Sequence, residues 1–452
     1  MKARSVLPLV FLLNACVPAS QPDVATRAQF AESTLPPMKN FGATVPVAPV
    51  RSNNDLAIDF VELSFQLESG RKLPVLTRFE EPISVRVTGA PPPTLGSDLK
   101  RLISRLRSEA RIDISYSTRS DANITIEAVS RADIRRVLPQ AACFVAPNVS
   151  SLSEYRSARR KPLTNWTTLT EREKIAIFLP NDASPQEVRD CLHEELAQAI
   201  GPLNDLYRLP DSVFNDDNVH TVLTGFDMLI LRTYYDPALR SGMTRGQVAA
   251  ALPAILARTN PAGNTRKARF ATRTPRGWSK AIQTALGRSI SYSGRTGAAS
   301  EAIRIATAMG WQDHRRAFAH YAMGRVLQTN DPEGAYKHYL AADRFYANSP
   351  GTALHRAYAA TQLAAYAITK GQGAEALRLI APHVSTARRN ENAALLSTLL
   401  LLRSEALELE NRHAEARSVR LDSIGWARYG FGADWAVRAK LREIASLNPL
   451  KG

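Results

Sequence analysis

The 452-residue chain predicts an α+β domain, a mixed sheet packed on helices, followed by an all-α domain of helical repeats. Three observations carry this. Short β-rich runs within 74–88, 111–115, 123–129 and 174–179 are interleaved with helical patterns in the first half. A helix dense in carboxylates and amides directly follows the last of those runs. Beyond about residue 288 the sequence turns Ala- and Leu-rich, and a Glu-Ala pattern at residues 300, 333, 374 and 414 returns at intervals of 33, 41 and 40.

At the amino end, Lys2 and Arg4 precede an apolar run, Val6 to Leu13, that is too short to span a bilayer, which predicts an export signal. Leu13-Asn14-Ala15-Cys16 resembles a bacterial lipobox, whose cysteine is acylated; an ordinary secretory signal cut nearby is the alternative. Residues 1–16 are therefore expected to be a lipoprotein signal peptide with Cys16 as the lipidation site. Val17 after the cysteine points to the periplasmic face of the outer membrane, with the membrane reached through the lipid. Residues 17–52, with Pro36-Pro37, Pro46 and Pro49 among Ala, Ser and Gln, read as a flexible tether.

The α+β domain is expected over 53–257. Asn54-Asp55 caps a helix to about Leu67, and 97–111 is amphipathic with Leu99, Leu102, Ile103 and Leu106 inward. Lys174 to Leu179 is the last strand. Ser184 then caps a helix that starts on Pro185 and stops at Gly201-Pro202, burying Val188, Leu192, Leu196 and Ile200 at successive i,i+4 steps. Residues 218–239 are expected to be helical. Cys143 and Cys191 form an isolated pair, which in an oxidising compartment is more often a disulfide than a reactive site.

On the helix after Ser184, Glu194 and Gln198 share a face, with Glu195 beside them. The run Glu194-Glu195-x-x-Gln198-x-x-Gly201-x-x-Asn204 resembles the metzincin pattern HExxHxxGxxH at the Glu and the Gly, but Glu, Gln and Asn stand at the three ligand positions. Ser212-Val213-Phe214-Asn215 stands where a Met-containing turn follows in those proteins. The run extended by Asp205, then Ser212-x-Phe214-Asn215-Asp216, Leu223-Thr224-x-x-Asp227 and Leu231-Arg232-x-x-Tyr235-Asp236-Pro237, resembles the domain of unknown function 2927 family over roughly 53–256. Its members are largely described as lipoproteins of uncharacterised function, so the resemblance implies no reaction. A mixed sheet whose last strand hands over to the site helix is also how zincin upper subdomains are built, which implies a zincin-like fold.

Zinc favours imidazole and thiolate, so this set makes an ordinary zinc site unfavourable; carboxylates such as Asp205 and Asp216 would suit calcium or magnesium instead. The candidate residues are Glu195 as general base, with Glu194, Gln198, Asn204, Asp205, Asn215 and Asp216 as binding groups around a possible divalent metal. The alternative is a helix whose polar groups only hydrogen-bond the following loop.

Residues 258–287 hold Arg258, Arg266, Lys267, Arg269, Arg273, Arg276 and Lys280 with no acidic residue, and are expected to be a basic linker. They contribute to a formal net charge of +16. Export argues against nucleic acid as the partner. Residues 288–452 resemble tetratricopeptide repeats, whose paired helices bind a protein or peptide, with Trp426 and Trp435 expected to cap the last helices. Two functions follow from the residues: an envelope scaffold that has lost hydrolytic ligands, or a non-standard metal-dependent hydrolase.

Overall fold

In the computed structural model of the chain the described residues are 33–42, 47–269, 271–287 and 289–451. The expected signal peptide, Cys16 and the first part of the tether lie outside them. Five strands make one sheet: β1 (Ile83–Gly89), β2 (Ile114–Tyr116), β3 (Ile124–Val129), β4 (Phe144–Pro147) and β5 (Ile175–Pro180), in the order β2-β1-β3-β5-β4. All pairings are parallel except β4 on β5, so the sheet is mixed with an antiparallel edge.

The β5 run IAIFLP is apolar at nearly every position because both of its faces are covered. Ile175, Ile177 and Leu179 enter the main core with α1 (Asn53–Ser64), α2 (Leu95–Ser108) and α5 (Pro185–Ile200). Ala176 and Phe178 point the other way, into a smaller core with α3 (Arg131–Val137) and α4 (Leu152–Ala158). A disulfide joins Cys143, just before the edge strand β4, to Cys191 in α5.

Several boundaries differ from expectation. The first helix is capped by Ser52, whose hydroxyl accepts from the Asp55 N–H, rather than by Asn54-Asp55. Residues 218–224 are irregular. The next helix, α6 (Gly225–Tyr234), begins at a capping box in which Thr224 and Asp227 satisfy each other's backbone N–H groups. After α7 (Arg245–Thr259), the stretch expected as a basic linker instead contains α8 (Arg276–Leu286), whose Trp278 is wholly buried beside Tyr207 and Trp311.

From α8 on, the chain is an array of helices: α9 (Tyr292–Ala308), α10 (His314–Leu327), α11 (Pro332–Ala347), α12 (Ala353–Thr369), α13 (Gly373–Ile380), α14 (His383–Arg389), α15 (Ala393–Leu409), α16 (His413–Phe431) and α17 (Asp434–Ala445). The recurrent alanines Ala302, Ala335, Ala376 and Ala416 are all buried. In the last three units the Glu and Ala open α11, α13 and α16 directly after a turn, whereas Ser300-Glu301-Ala302 lies inside α9. Close helix approach requires small residues: a Cβ on Gly324 would stand 2.6 Å from the Tyr339 ring. Of the two tryptophans expected to cap the last helices, Trp426 is buried within α16 and Trp435 is 75% exposed.

The α+β part and the array are bolted together through α5. Buried Arg189 pairs with Glu391 at 3.1 Å, and Gln186 bonds both Asn392 (3.2 Å) and the Ala394 N–H (2.9 Å). The end of the expected tether is also fixed. Phe41 is buried against Trp426, with ring centroids 4.6 Å apart, and Arg428 donates to the Pro36 carbonyl.

Candidate metal centre

Ser184 accepts from the Glu187 N–H, Pro185 opens α5 and Gly201 closes it. With Val188, Leu192, Leu196 and Ile200 committed to the core, the neighbouring face carrying Glu194, Glu195 and Gln198 is turned toward the following loop. That loop brings Asp205 and Asp216, and the turn after α1 brings Glu68. One carboxylate oxygen from each of Glu68, Asp205 and Asp216 lies within 4.8 Å of the others. Gln198 reaches Glu68 through Nε2 at 3.5 Å, which ties the α5 face to this triad.

The electrostatics are those of crowded like charges. Burial raises the Glu194 carboxyl to about 7, and the charges of Glu68 and Asp216 add to the shift. Glu195 is raised well above the usual range by burial and then by Glu194 and Glu68. Asp205 behaves likewise, through burial and then Glu68 and Glu194, and Asp216 rises through burial and Asp217. None of these five carboxylates has a lysine or arginine ion-pair partner among the described residues. Some other buried acids do, Asp59 being held by Arg51 and Arg208 and Glu405 by Arg420 and Lys451, while buried Asp227 is satisfied instead by the Ser212 hydroxyl and the Val213 and Thr224 N–H groups. One oxygen each of Glu195 (Oε2) and Asp205 (Oδ1) is buried without a hydrogen-bond partner in the described structure. Oxygen-only donors of this kind fit calcium, magnesium or manganese and not zinc.

The candidate residues divide. Glu194, Glu195, Gln198, Asp205 and Asp216 are brought into one electrostatic neighbourhood. Asn204 is buried beside them, anchored through Nδ2, which donates to the Glu62 carbonyl at 3.0 Å and leaves its Oδ1 uncommitted by that bond. Asn215 shapes the loop: Nδ2 donates to the Leu209 carbonyl at 2.9 Å, and Oδ1 accepts from the Asp217 N–H. Phe214, at the Met-turn position, is wholly buried. His193 is buried apart from the acids, its Nδ1 accepting from the Leu223 N–H at 3.1 Å. Glu68 was absent from the sequence-derived set, and no local signal marks it.

Residues 53–254 match the family described as Protein of unknown function (DUF2927). The DUF2927 region thus takes in the whole sheet, α5 and all five carboxylates. No curated protein and no solved structure matches the chain.

Proposed function

We propose that the DUF2927 region binds a divalent hard cation at Glu68, Asp205 and Asp216, within an exported, lipid-anchored protein of the periplasmic face of the outer membrane. The helical array in this reading holds a protein or peptide partner. The observation that carries the cation site is the missing counter-charge. Among the described residues no Lys or Arg pairs with any of the five gathered carboxylates. A dication supplies what the side chains do not, and by binding only the folded state it stabilises the fold. Support for a zincin-like arrangement is the handover from β5 to the site helix beside an antiparallel edge strand. Support for tetratricopeptide-like packing is the pairing α10 with α11, α12 with α13 and α15 with α16.

Equilibrium dialysis of the protein against calcium, magnesium and manganese, with melting followed in parallel, tests the site. Saturable uptake of about one ion, lost in Asp216→Asn and Glu68→Gln, is the expected result. Binding that is unchanged in both variants would remove the assignment.

A second reading rests on Glu195, whose unpartnered Oε2 and raised pKa suit a general base next to a metal-activated water. It makes the region a non-standard metal-dependent hydrolase. Peptide hydrolysis that needs the cation and disappears in Glu195→Gln supports it; a purified protein with no hydrolysis under any of the three metals leaves the scaffold reading alone.

A further inference from the structure

A cavity of about 710 Å³ opens where the α+β part meets the array, lined by none of the five carboxylates of the acidic cluster. A second of about 430 Å³ adjoins it, sharing Val50, Arg51, Asp55 and Arg269 and adding Arg266 and Lys267. We propose that this double cleft binds an acidic peptide segment carrying aliphatic side chains. The inference deepens the partner half of the reading above by giving that partner a place and a chemistry, and it is independent of the cation.

The charges on the walls set the sign. The carboxylates in the larger cavity are all engaged. Asp59 is held by Arg51 and Arg208, Asp211 by Arg51, and Asp313 by Arg315 at 2.6 Å. Asp55 accepts from the Ser52 hydroxyl and from the Arg269 N–H at 2.9 Å. The exposed guanidinium groups of Arg269 and Arg389 have no carboxylate partner among the described residues, and Arg389 makes only a 3.4 Å contact to the Thr386 hydroxyl. Exposed Arg266 and Lys267 extend the unmatched positive charge into the smaller cavity. An incoming carboxylate meets forked donors whose charge is not already spent.

The remaining wall fixes the rest of the ligand. Val47, Val50 and Ile58 are 71%, 58% and 43% exposed, an uncovered aliphatic strip beside the cations. Gln312 and Asn348, exposed at the rim, offer amides of the kind that pair with a peptide backbone. The combined volume of the two adjoining cavities suits several residues of a peptide better than a single headgroup or ion.

The test uses the full chain and a fluorescein-labelled decapeptide of alternating Leu and Glu, followed by anisotropy, with the Leu-Lys decapeptide as control. Expected are preferential binding of the acidic peptide, weakening with salt, and a loss of about tenfold in Arg269→Gln/Arg389→Gln. Arg269→Lys/Arg389→Lys should retain most of the affinity, and the exposed positions leave the melting temperature unchanged. Equal binding of the acidic and basic peptides, or unaltered affinity in the glutamine variant, overturns the inference while leaving a partner elsewhere on the array. No binding of either peptide overturns the inference and leaves the partner reading to other faces of the array. Phosphatidylglycerol vesicles that bind in an arginine-dependent way when the peptide does not would assign the cleft to lipid and also overturn it.

Discussion

Replacing His314 with glutamine should flatten the acid limb of the stability curve. His314 opens α10, and its Nε2 lies 2.7 Å from the Tyr207 carbonyl, in the loop that carries Asp205. Burial holds its pKa down, from 6.5 to about 4, against the opposing pull of Asp313. The unfolded chain therefore takes up this proton near pH 6.5 and the folded chain only near pH 4. Between those values the unfolded state binds more protons, so stability is full above pH 6.5 and is lost as pH falls toward 4. A difference of about 2.5 pKa units corresponds to about 3 kcal/mol. Glutamine keeps an N–H donor for the Tyr207 carbonyl and cannot titrate. Urea unfolding of both proteins at half-unit steps from pH 7.5 to 4.5 isolates the residue from the other buried histidines, because only the difference between the two curves counts. The wild type should lose about 2 to 3 kcal/mol more than the variant across that range. Parallel curves would refute the account.

The remaining expectations concern the frame. Cys143→Ser/Cys191→Ser opens a link across a sequence separation of 48 and should cost about 4 kcal/mol on the chain-entropy account, read from urea midpoints; a loss below about 1 kcal/mol would show that the bond merely decorates a preformed contact. Trp278→Ala should cost about 3 to 5 kcal/mol, whereas a linker tryptophan would cost almost nothing, so thermal melting decides between them. Gly225→Ala places a methyl 1.6 Å from the Val47 carbonyl oxygen and should unseat residues 47–51, seen as faster amide exchange confined to that stretch; unchanged exchange would contradict the close approach.

Much of this architecture was legible because it is locally encoded. Ser184, Pro185 and Gly201 mark the ends of α5 by capping chemistry alone, and the unbroken apolar run of β5 signals a strand covered on both faces. The acidic helix was recognisable from spacing, and Asp205 and Asp216 from their chemistry. Glu68 was not, since it precedes Asp205 by more than a hundred residues and only the fold brings its turn beside α5. Asn215 looked like a ligand because an amide serves equally as ligand and as loop fastener, and its partners, the Leu209 carbonyl and the Asp217 N–H, carry no sequence signature. Two misses had visible signals. Thr224 and Asp227 spell a capping box that starts α6 several residues later than apolar periodicity suggested. Trp278, Ala281, Ile282 and Ala285 form a helical stripe that the surrounding arginines obscured.

The seating of Phe41 on Trp426 and Tyr429 has a mechanical corollary. Traction applied ahead of residue 35 would reach α16 through Phe41 before it loaded the strands. The load would fall first on α16 and on α5, whose Arg189 stacks over the Phe41 ring, so that single-molecule pulling should register the seam between the two parts before the sheet.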